Sequence, residues 1–139
     1  MTRTATVREA VLDRHTDLLE AVLACADAVT ETWDDGETTD RAALVGPFER
    51  ALEQATVHRR LPAVLVTAVE ATGGSLSAKP VAAPPYVTVT SRGPVLRATL
   101  ETERLVLTVR AFDVERDPTR YVRDATTVAD ALGVEFRSR

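Results

Sequence analysis

Apolar residues near the start of the chain recur at alternating steps of four and three, the spacing of one face of an α-helix. One stripe comprises Val11, His15, Leu18, Val22, Cys25 and Val29, and a neighbouring stripe comprises Leu12, Leu19, Leu23, Ala26 and Trp33. A capping box, Thr6-Val7-Arg8-Glu9, precedes both stripes. The pattern predicts one long helix from about Val7 to Trp33, with a wide apolar surface.

Two further helices are predicted before residue 74. The first follows Thr39-Asp40, and Gly46-Pro47 interrupts it, so we expect either a kink there or a new helix that starts at Pro47. The second is the uncharged run Ala63–Val69, whose periodicity does not separate a buried helix from a buried strand. We interpret it as a helix, because Gly73-Gly74 after it is typical of a helical C-cap.

Beyond a proline-rich connector the apolar period changes from helical to two, which predicts β-strands. Three strands are expected, at Tyr86–Ser91, Val95–Glu101 and Arg104–Val114, with turns at Arg92-Gly93 and Thr102-Glu103. In the resulting antiparallel meander one face is apolar and comprises Leu96, Ala98, Leu100, Leu105, Leu107 and Val109. The other face is polar and includes Arg97, Thr99, Thr108 and Arg110.

A last helix is predicted to begin at Asp117-Pro118 and to be closed by Gly133, and Val134 and Phe136 then form a short edge strand or anchor the tail. The fold class is therefore α+β, with N-terminal helices, a three-stranded antiparallel meander, a C-terminal helix, and the helices on one sheet face. Residues 1–139 are expected to form one domain, with a helical part at about 1–74 and the sheet plus C-terminal helix at about 86–139.

Composition narrows the class of protein. The 139 residues are 45% hydrophobic, with a net charge of −4, a single cysteine, no secretory leader and no apolar run long enough for a membrane span. We therefore expect a cytoplasmic protein that does not bind a membrane. Lys79 is the only lysine among 17 basic residues. With the acidic balance and frequent Thr, Val and Ala, this usage resembles uncharacterised small-protein families of salt-loving archaea, a resemblance that implies no activity.

No constellation of residues predicts chemistry. His15, Cys25 and His58 lack the spacing of a zinc site, and Cys25 lies among apolar helix positions, where a thiol is typically buried and inert. No serine occurs in G-x-S-x-G, and no loop carries G-x-x-x-x-G-K-[ST]. We therefore predict no catalytic residue, no cofactor and no metal ligand, and we lean away from an enzyme.

Charge is distributed unevenly along the chain. Residues 1–57 carry a net charge of −7, whereas residues 58–139 carry +3. Within the second part, Arg97, Arg104 and Arg110 lie on the polar sheet face and are candidates for binding an anion or a nucleic-acid backbone. Nucleic acid is not favoured, because Tyr86 is the only aromatic residue there that could stack on a base.

Two functional hypotheses remain. The first is a non-catalytic interaction protein that self-associates, because we expect the long first helix to carry more apolar surface than one small sheet can cover. The alternative is a module that binds an anion or a nucleic-acid backbone through the Arg-rich sheet face. Partners other than a second copy of the chain are not identified by the sequence.

Overall fold

Helices and two antiparallel sheets make up the structure, a computed structural model that describes residues 1–139. The helices are α1 (Arg3–Thr30), α2 (Val45–Gln54), α3 (Leu61–Ala71) and the short α4 (Val128–Ala131). The strands are β1 (Glu37–Thr38), β2 (Val87–Val89), β3 (Pro94–Thr99), β4 (Glu103–Val109), β5 (Phe112–Glu115), β6 (Arg120–Arg123) and β7 (Leu132–Ser138). The α+β class predicted from the sequence is confirmed.

Helix α1 is the element around which the others pack. It contacts α2, α3, α4, β6 and β7. Val7 and most positions of its two apolar stripes are buried, the latter being Val11, Leu18, Leu19, Val22, Leu23, Cys25, Ala26 and Val29. The helix begins earlier than the capping box predicted, because the side chain of Thr2 caps it by accepting a hydrogen bond from the Ala5 N–H at 3.0 Å.

The next two helices follow the sequence pattern closely. Gly46-Pro47 lies in the first turn of α2, so the break predicted there is the start of a new helix rather than a kink. The run Ala63–Val69 lies within α3 and is helical, as interpreted. Gly73, with a φ of +82°, follows the end of α3 in the left-handed conformation expected of a glycine beyond a helix end.

The larger sheet has the order β2-β3-β4-β7 and contains the predicted meander, to which β7 adds a fourth strand. Both turns lie one residue earlier than predicted, since Thr90 pairs with Gly93 and the Leu100 N–H donates to the Glu103 carbonyl at 2.7 Å. The register therefore shifts by two, which places Ala98 opposite Leu105. A shift of two leaves every side chain on its predicted face, because side chains alternate with a period of two.

The two faces of this sheet differ in polarity as predicted. The inner face is formed by Leu96, Ala98, Leu105, Leu107 and Val109, all buried, with Leu100 half-buried. The outer face carries Arg97, Thr99, Arg104, Thr108 and Arg110. It also carries Val95 and Val106, which are buried despite facing away from the helices. The outer face therefore has an apolar centre surrounded by polar and basic side chains.

A second, smaller sheet of order β1-β6-β5 corrects the prediction for the C-terminal region. The third predicted strand breaks after Val109, and its remainder, β5, pairs with β6 instead of continuing the meander. The long helix predicted from Asp117-Pro118 is wrong, because its first part is strand β6 and only α4 is helical. Strand β6 pairs with β5 in an antiparallel hairpin, and Arg120 bonds Glu115 across it at 3.0 Å.

Aromatic and charged contacts join this second sheet to the helices. The Phe112 ring lies 5.1 Å from that of Phe48 in an edge-on arrangement and 5.6 Å from that of Trp33. Arg123 donates from Nε to Asp27 of α1 at 2.8 Å and from Nη1 to the Ala111 carbonyl at 2.7 Å. These contacts hold β5 and β6 against α1 and α2, so the helices pack on both sheets.

Gly93 is required where the first hairpin meets the break between β4 and β5. Its φ is +146°, and a Cβ atom added there would lie 1.8 Å from the carbonyl oxygen of Val109. The neighbouring Arg92 carbonyl accepts hydrogen bonds from the N–H groups of Ala111 and Phe112, at 2.8 and 2.9 Å. The chain therefore passes from one sheet to the other over a turn that has no room for a side chain.

We expect Gly93→Ala to lower the free energy of unfolding by about 2–6 kcal/mol, because overpacking and an unfavourable φ each cost about 1–3 kcal/mol. Gly73→Ala is the matched control, since Gly73 also has a positive φ but nothing lies within 4 Å of an added Cβ. That variant should lose only about 1–2 kcal/mol. Urea unfolding measures both values, and equal losses would contradict the steric role assigned to Gly93.

Candidate functional site

The largest cavity is a cleft between α1 and α3 that the connector Lys79–Ala82 borders. Its volume is about 770 Å³, within the range of about 300–1,000 Å³ that small-molecule sites occupy. The apolar part of its lining comprises Leu18, Pro62, Ala63, Val66, Pro80, Val81 and Ala82. We call this cavity the helix cleft.

Helical spacing brings the lining residues together. On α1, Arg14, His15 and Leu18 lie within one turn on the same face. On α3, residues 62, 63, 66 and 67 recur at steps of three and four and face α1 across the cleft. Small side chains on α3, such as Ala63, leave open space that larger residues would fill.

Four cationic side chains border the helix cleft, and no carboxylate lines it. They are Arg14, Arg59, Arg60 and Lys79, all exposed, and none takes part in an ion pair. Several arginines elsewhere in the chain do form ion pairs, as in the bonds from Arg3 to Glu103 at 2.6 Å and from Arg92 to Asp113 at 3.3 Å. The helix cleft therefore concentrates uncompensated positive charge beside an apolar surface.

His15 and Thr67 form a hydrogen bond within the cleft. His15 Nε2 lies 2.7 Å from the Thr67 hydroxyl. Thr67 is the only polar residue among the buried residues of the protein, with 7% of its surface exposed. Burial, followed by the nearby charges of Arg14 and Arg60, lowers the pKa of His15 below its ordinary value. At neutral pH the imidazole is therefore uncharged, and the positive charge of the cleft comes from its arginines and lysine.

The sheet-face arginines proposed from the sequence do not form one group. Arg97 and Arg104 line a second cavity of about 430 Å³, which we call the sheet-face cavity, on the outer face of the four-stranded sheet. Arg110 lies at the other end of β4, where its Nη2 donates to the Asp130 carbonyl at 2.9 Å. The structure therefore brings together two of the three predicted residues.

The potential metal ligands and the thiol do not form a site. No group of three or more His, Cys, Asp or Glu side chains is close enough to hold a metal ion. Cys25 is buried, its Sγ lies 3.7 Å from the Ala51 carbonyl, and burial raises the pKa of the thiol. Cys25 thus has the protonated, packed state of a core residue rather than the environment of a nucleophile.

The helix cleft itself was not found from the sequence. Its residues come from three places in the chain, and only His15, which interrupts an apolar stripe, marked α1 as unusual. The pair Arg59-Arg60 lies at the start of the basic second part of the chain. Nothing local to the sequence shows that this pair and Lys79 approach Arg14, because that proximity depends on how α3 and the connector pack against α1.

Residues 5–137 match the sequence profile of a family described as Domain of unknown function (DUF7988), and the chain belongs to that family. No curated protein and no solved structure matches the chain. None of its helices has both the length and the apolar character needed to cross a lipid bilayer.

We expect the His15 ring to titrate below its ordinary pKa of about 6.5, and Arg60→Gln to raise that pKa by removing a nearby positive charge. Because the folded-state pKa is the lower one, the unfolded chain binds the proton first as the pH falls. The free energy of unfolding should therefore decrease as the pH falls below about 6.5.

Two-dimensional NMR of the imidazole and urea unfolding across this pH range provide the two measurements. His15→Gln is the control, because it retains a hydrogen-bonding partner for Thr67 but removes the titrating group. The variant should lose the part of the pH dependence that His15 contributes. A ring pKa at or above about 6.5 would contradict the assigned environment.

Proposed function

We propose that this protein is a non-catalytic binding module, and that the helix cleft binds a small anionic ligand that also has an apolar part. The observation that carries this proposal is the grouping of Arg14, Arg59, Arg60 and Lys79 around one cavity without a lining carboxylate. Such a grouping costs free energy through mutual repulsion in the free protein. A bound anion would relieve that repulsion and accept hydrogen bonds from the cations.

The apolar lining of the helix cleft supports the proposal that the ligand has an apolar part. Leu18, Ala63 and Val66 present hydrocarbon surface between the two helices, and Val81 on the connector is 55% exposed. Apart from Met1, Val81 is the only large hydrophobic residue that is exposed. A ligand with an apolar body would cover this surface, and its charged group would lie among the cations at the rim.

Self-association, the first hypothesis from the sequence, has less support. It rested on apolar surface of α1 that one chain was not expected to cover, and that surface is largely buried within the chain by the other helices and both sheets. A homo-oligomer and a cytoplasmic location stay predictions. Sedimentation velocity across a range of protein concentrations tests the oligomer, for which a single monomeric species would be the contradicting result.

We expect the protein to bind decanoate, which combines a carboxylate with an apolar chain, at least about tenfold more tightly than decanol. The reason is that charge-assisted hydrogen bonds contribute about 1.5–3 kcal/mol when they form in a partly buried site. Isothermal titration calorimetry at low ionic strength, below the critical micelle concentration of decanoate, measures both affinities. Equal affinities for the two compounds would contradict a role for the basic rim.

The double variant Arg59→Gln/Arg60→Gln should weaken decanoate binding by about tenfold or more while leaving decanol binding unchanged. Val66→Glu, which adds a negative charge to the cleft, should weaken decanoate binding more than decanol binding. Arg116→Gln is the matched control, because Arg116 is exposed, makes no ion pair and does not line the cleft. An Arg116→Gln variant that weakened binding as much as the double variant would indicate non-specific attraction.

A further inference from the structure

The connector between α3 and β2 separates two cationic cavities. Residues 79–82 border the helix cleft, whereas residues 76–78 and 85–86 border the sheet-face cavity. We propose that the sheet-face cavity is a second binding site, distinct from the helix cleft, and that it binds a phosphate group through Arg97 and Arg104. Free phosphate and a phosphate monoester share this chemistry.

Strand register places the two guanidinium groups on one side of the sheet. Arg97 lies opposite Val106, and Arg104 lies opposite Thr99, so the two arginines are diagonal neighbours on the outer face. Diagonal positions on an antiparallel pair are about 7–8 Å apart, within reach of long side chains that converge on one group. The antiparallel pairing of β3 and β4 therefore fixes both arginines at the same cavity.

Neither arginine has a partner within the protein. No ion pair or hydrogen bond involves the side chain of Arg97 or Arg104. On β7, Arg137 lies opposite Arg104, but it bonds Glu135 of its own strand at 3.0 Å. Glu135, which lies opposite Val106, is therefore already paired, and the guanidinium groups of Arg97 and Arg104 are left for a ligand.

The other lining residues suit a tetrahedral oxyanion. Three of the lining residues, Ser77, Tyr86 and Thr99, carry hydroxyl groups, and no carboxylate lines the cavity. Guanidinium groups bind phosphate oxygens in a bidentate manner, and hydroxyls supply additional donors. The apolar remainder, Leu76, Ala78 and Pro85, is small compared with the lining of the helix cleft. The cavity therefore matches a compact polar group better than an amphipathic ligand.

A nucleic-acid backbone fits this cavity less well. A bound strand needs a groove with several phosphate contacts and aromatic residues for stacking, whereas Tyr86 is the only aromatic residue in the lining. Arg110 does not add a further phosphate contact, because it lies at the far end of β4 and donates to the Asp130 carbonyl. The site accordingly has the capacity for one phosphate group rather than a strand.

Unpartnered basic residues are concentrated at these two cavities. Arginines elsewhere mostly bond carboxylates or backbone carbonyls, as Arg123 and Arg139 do. The unpartnered cations outside both cavities are Arg41, Arg50 and Arg116. Two unpartnered arginines, Arg97 and Arg104, together with hydroxyl-bearing residues in one cavity, have the composition of an oxyanion site.

Isothermal titration calorimetry with inorganic phosphate and with O-phosphoserine, each at low ionic strength, tests the proposal. We expect binding of both, or of the monoester alone, and a loss of at least about tenfold in affinity for Arg97→Gln and for Arg104→Gln. Thr99→Val, which removes one hydroxyl and keeps the shape of the side chain, should weaken binding by a smaller factor. Circular dichroism confirms that each variant is folded.

Variants of the helix cleft separate this proposal from the function proposed above. Arg59→Gln/Arg60→Gln should leave phosphate binding unchanged, and Arg97→Gln should leave decanoate binding unchanged. Several outcomes would overturn the second site: no phosphate binding, an equal loss with Arg116→Gln, or a loss only with the helix-cleft variants. Tight binding of a single-stranded oligonucleotide with a steep dependence on salt, but no binding of phosphate or phosphoserine, would also overturn it.

Discussion

Burial of the apolar surface of α1 is the constraint on which the rest of this structure depends. The helix carries two adjacent apolar stripes, and most of their members are buried. A small domain covers so wide a surface only by surrounding the helix, and here α2, α3, α4, β6 and β7 all contact it. The same arrangement leaves the turn of α1 at Arg14 and His15 partly open, where the small residues of α3 do not fill the space. The helix cleft is thus a consequence of how the core is closed.

Charge pairing shows which polar residues stabilise the fold and which are left for a ligand. Arg123 joins α1 to the second sheet through Asp27 and the Ala111 carbonyl, and it is half-buried. Arg120 similarly bonds Glu115 within the β5–β6 hairpin. By contrast, the basic residues around the helix cleft and the sheet-face cavity lack partners inside the protein. Because the net charge of the chain is −4, this positive potential is local and arises from tertiary placement.

The candidate sites were predicted only in part from the sequence. Alternation along β3 and β4 placed Arg97 and Arg104 on one face, and the strand register confirms that placement, whereas Arg110 follows the end of β4. The sequence did not show that Arg110 is bonded at the far end of β4, or that the connector after α3 closes a cavity over the other two arginines. The helix cleft was missed, because its residues come from separate segments and have no motif in common.

The sequence by itself determined the three N-terminal helices, the meander and the faces of its strands, because each depends on periodicity or an end signal within a short segment. The faces were correct even though both turns were misplaced, since a register shift of two keeps the alternation. Only the tertiary structure decided that Arg120–Arg123 is a strand. Four residues are too few for periodicity to separate helix from strand, and pairing with β5 selects the extended form. The cavities were likewise decided at that level, because they depend on distances between segments far apart in the chain.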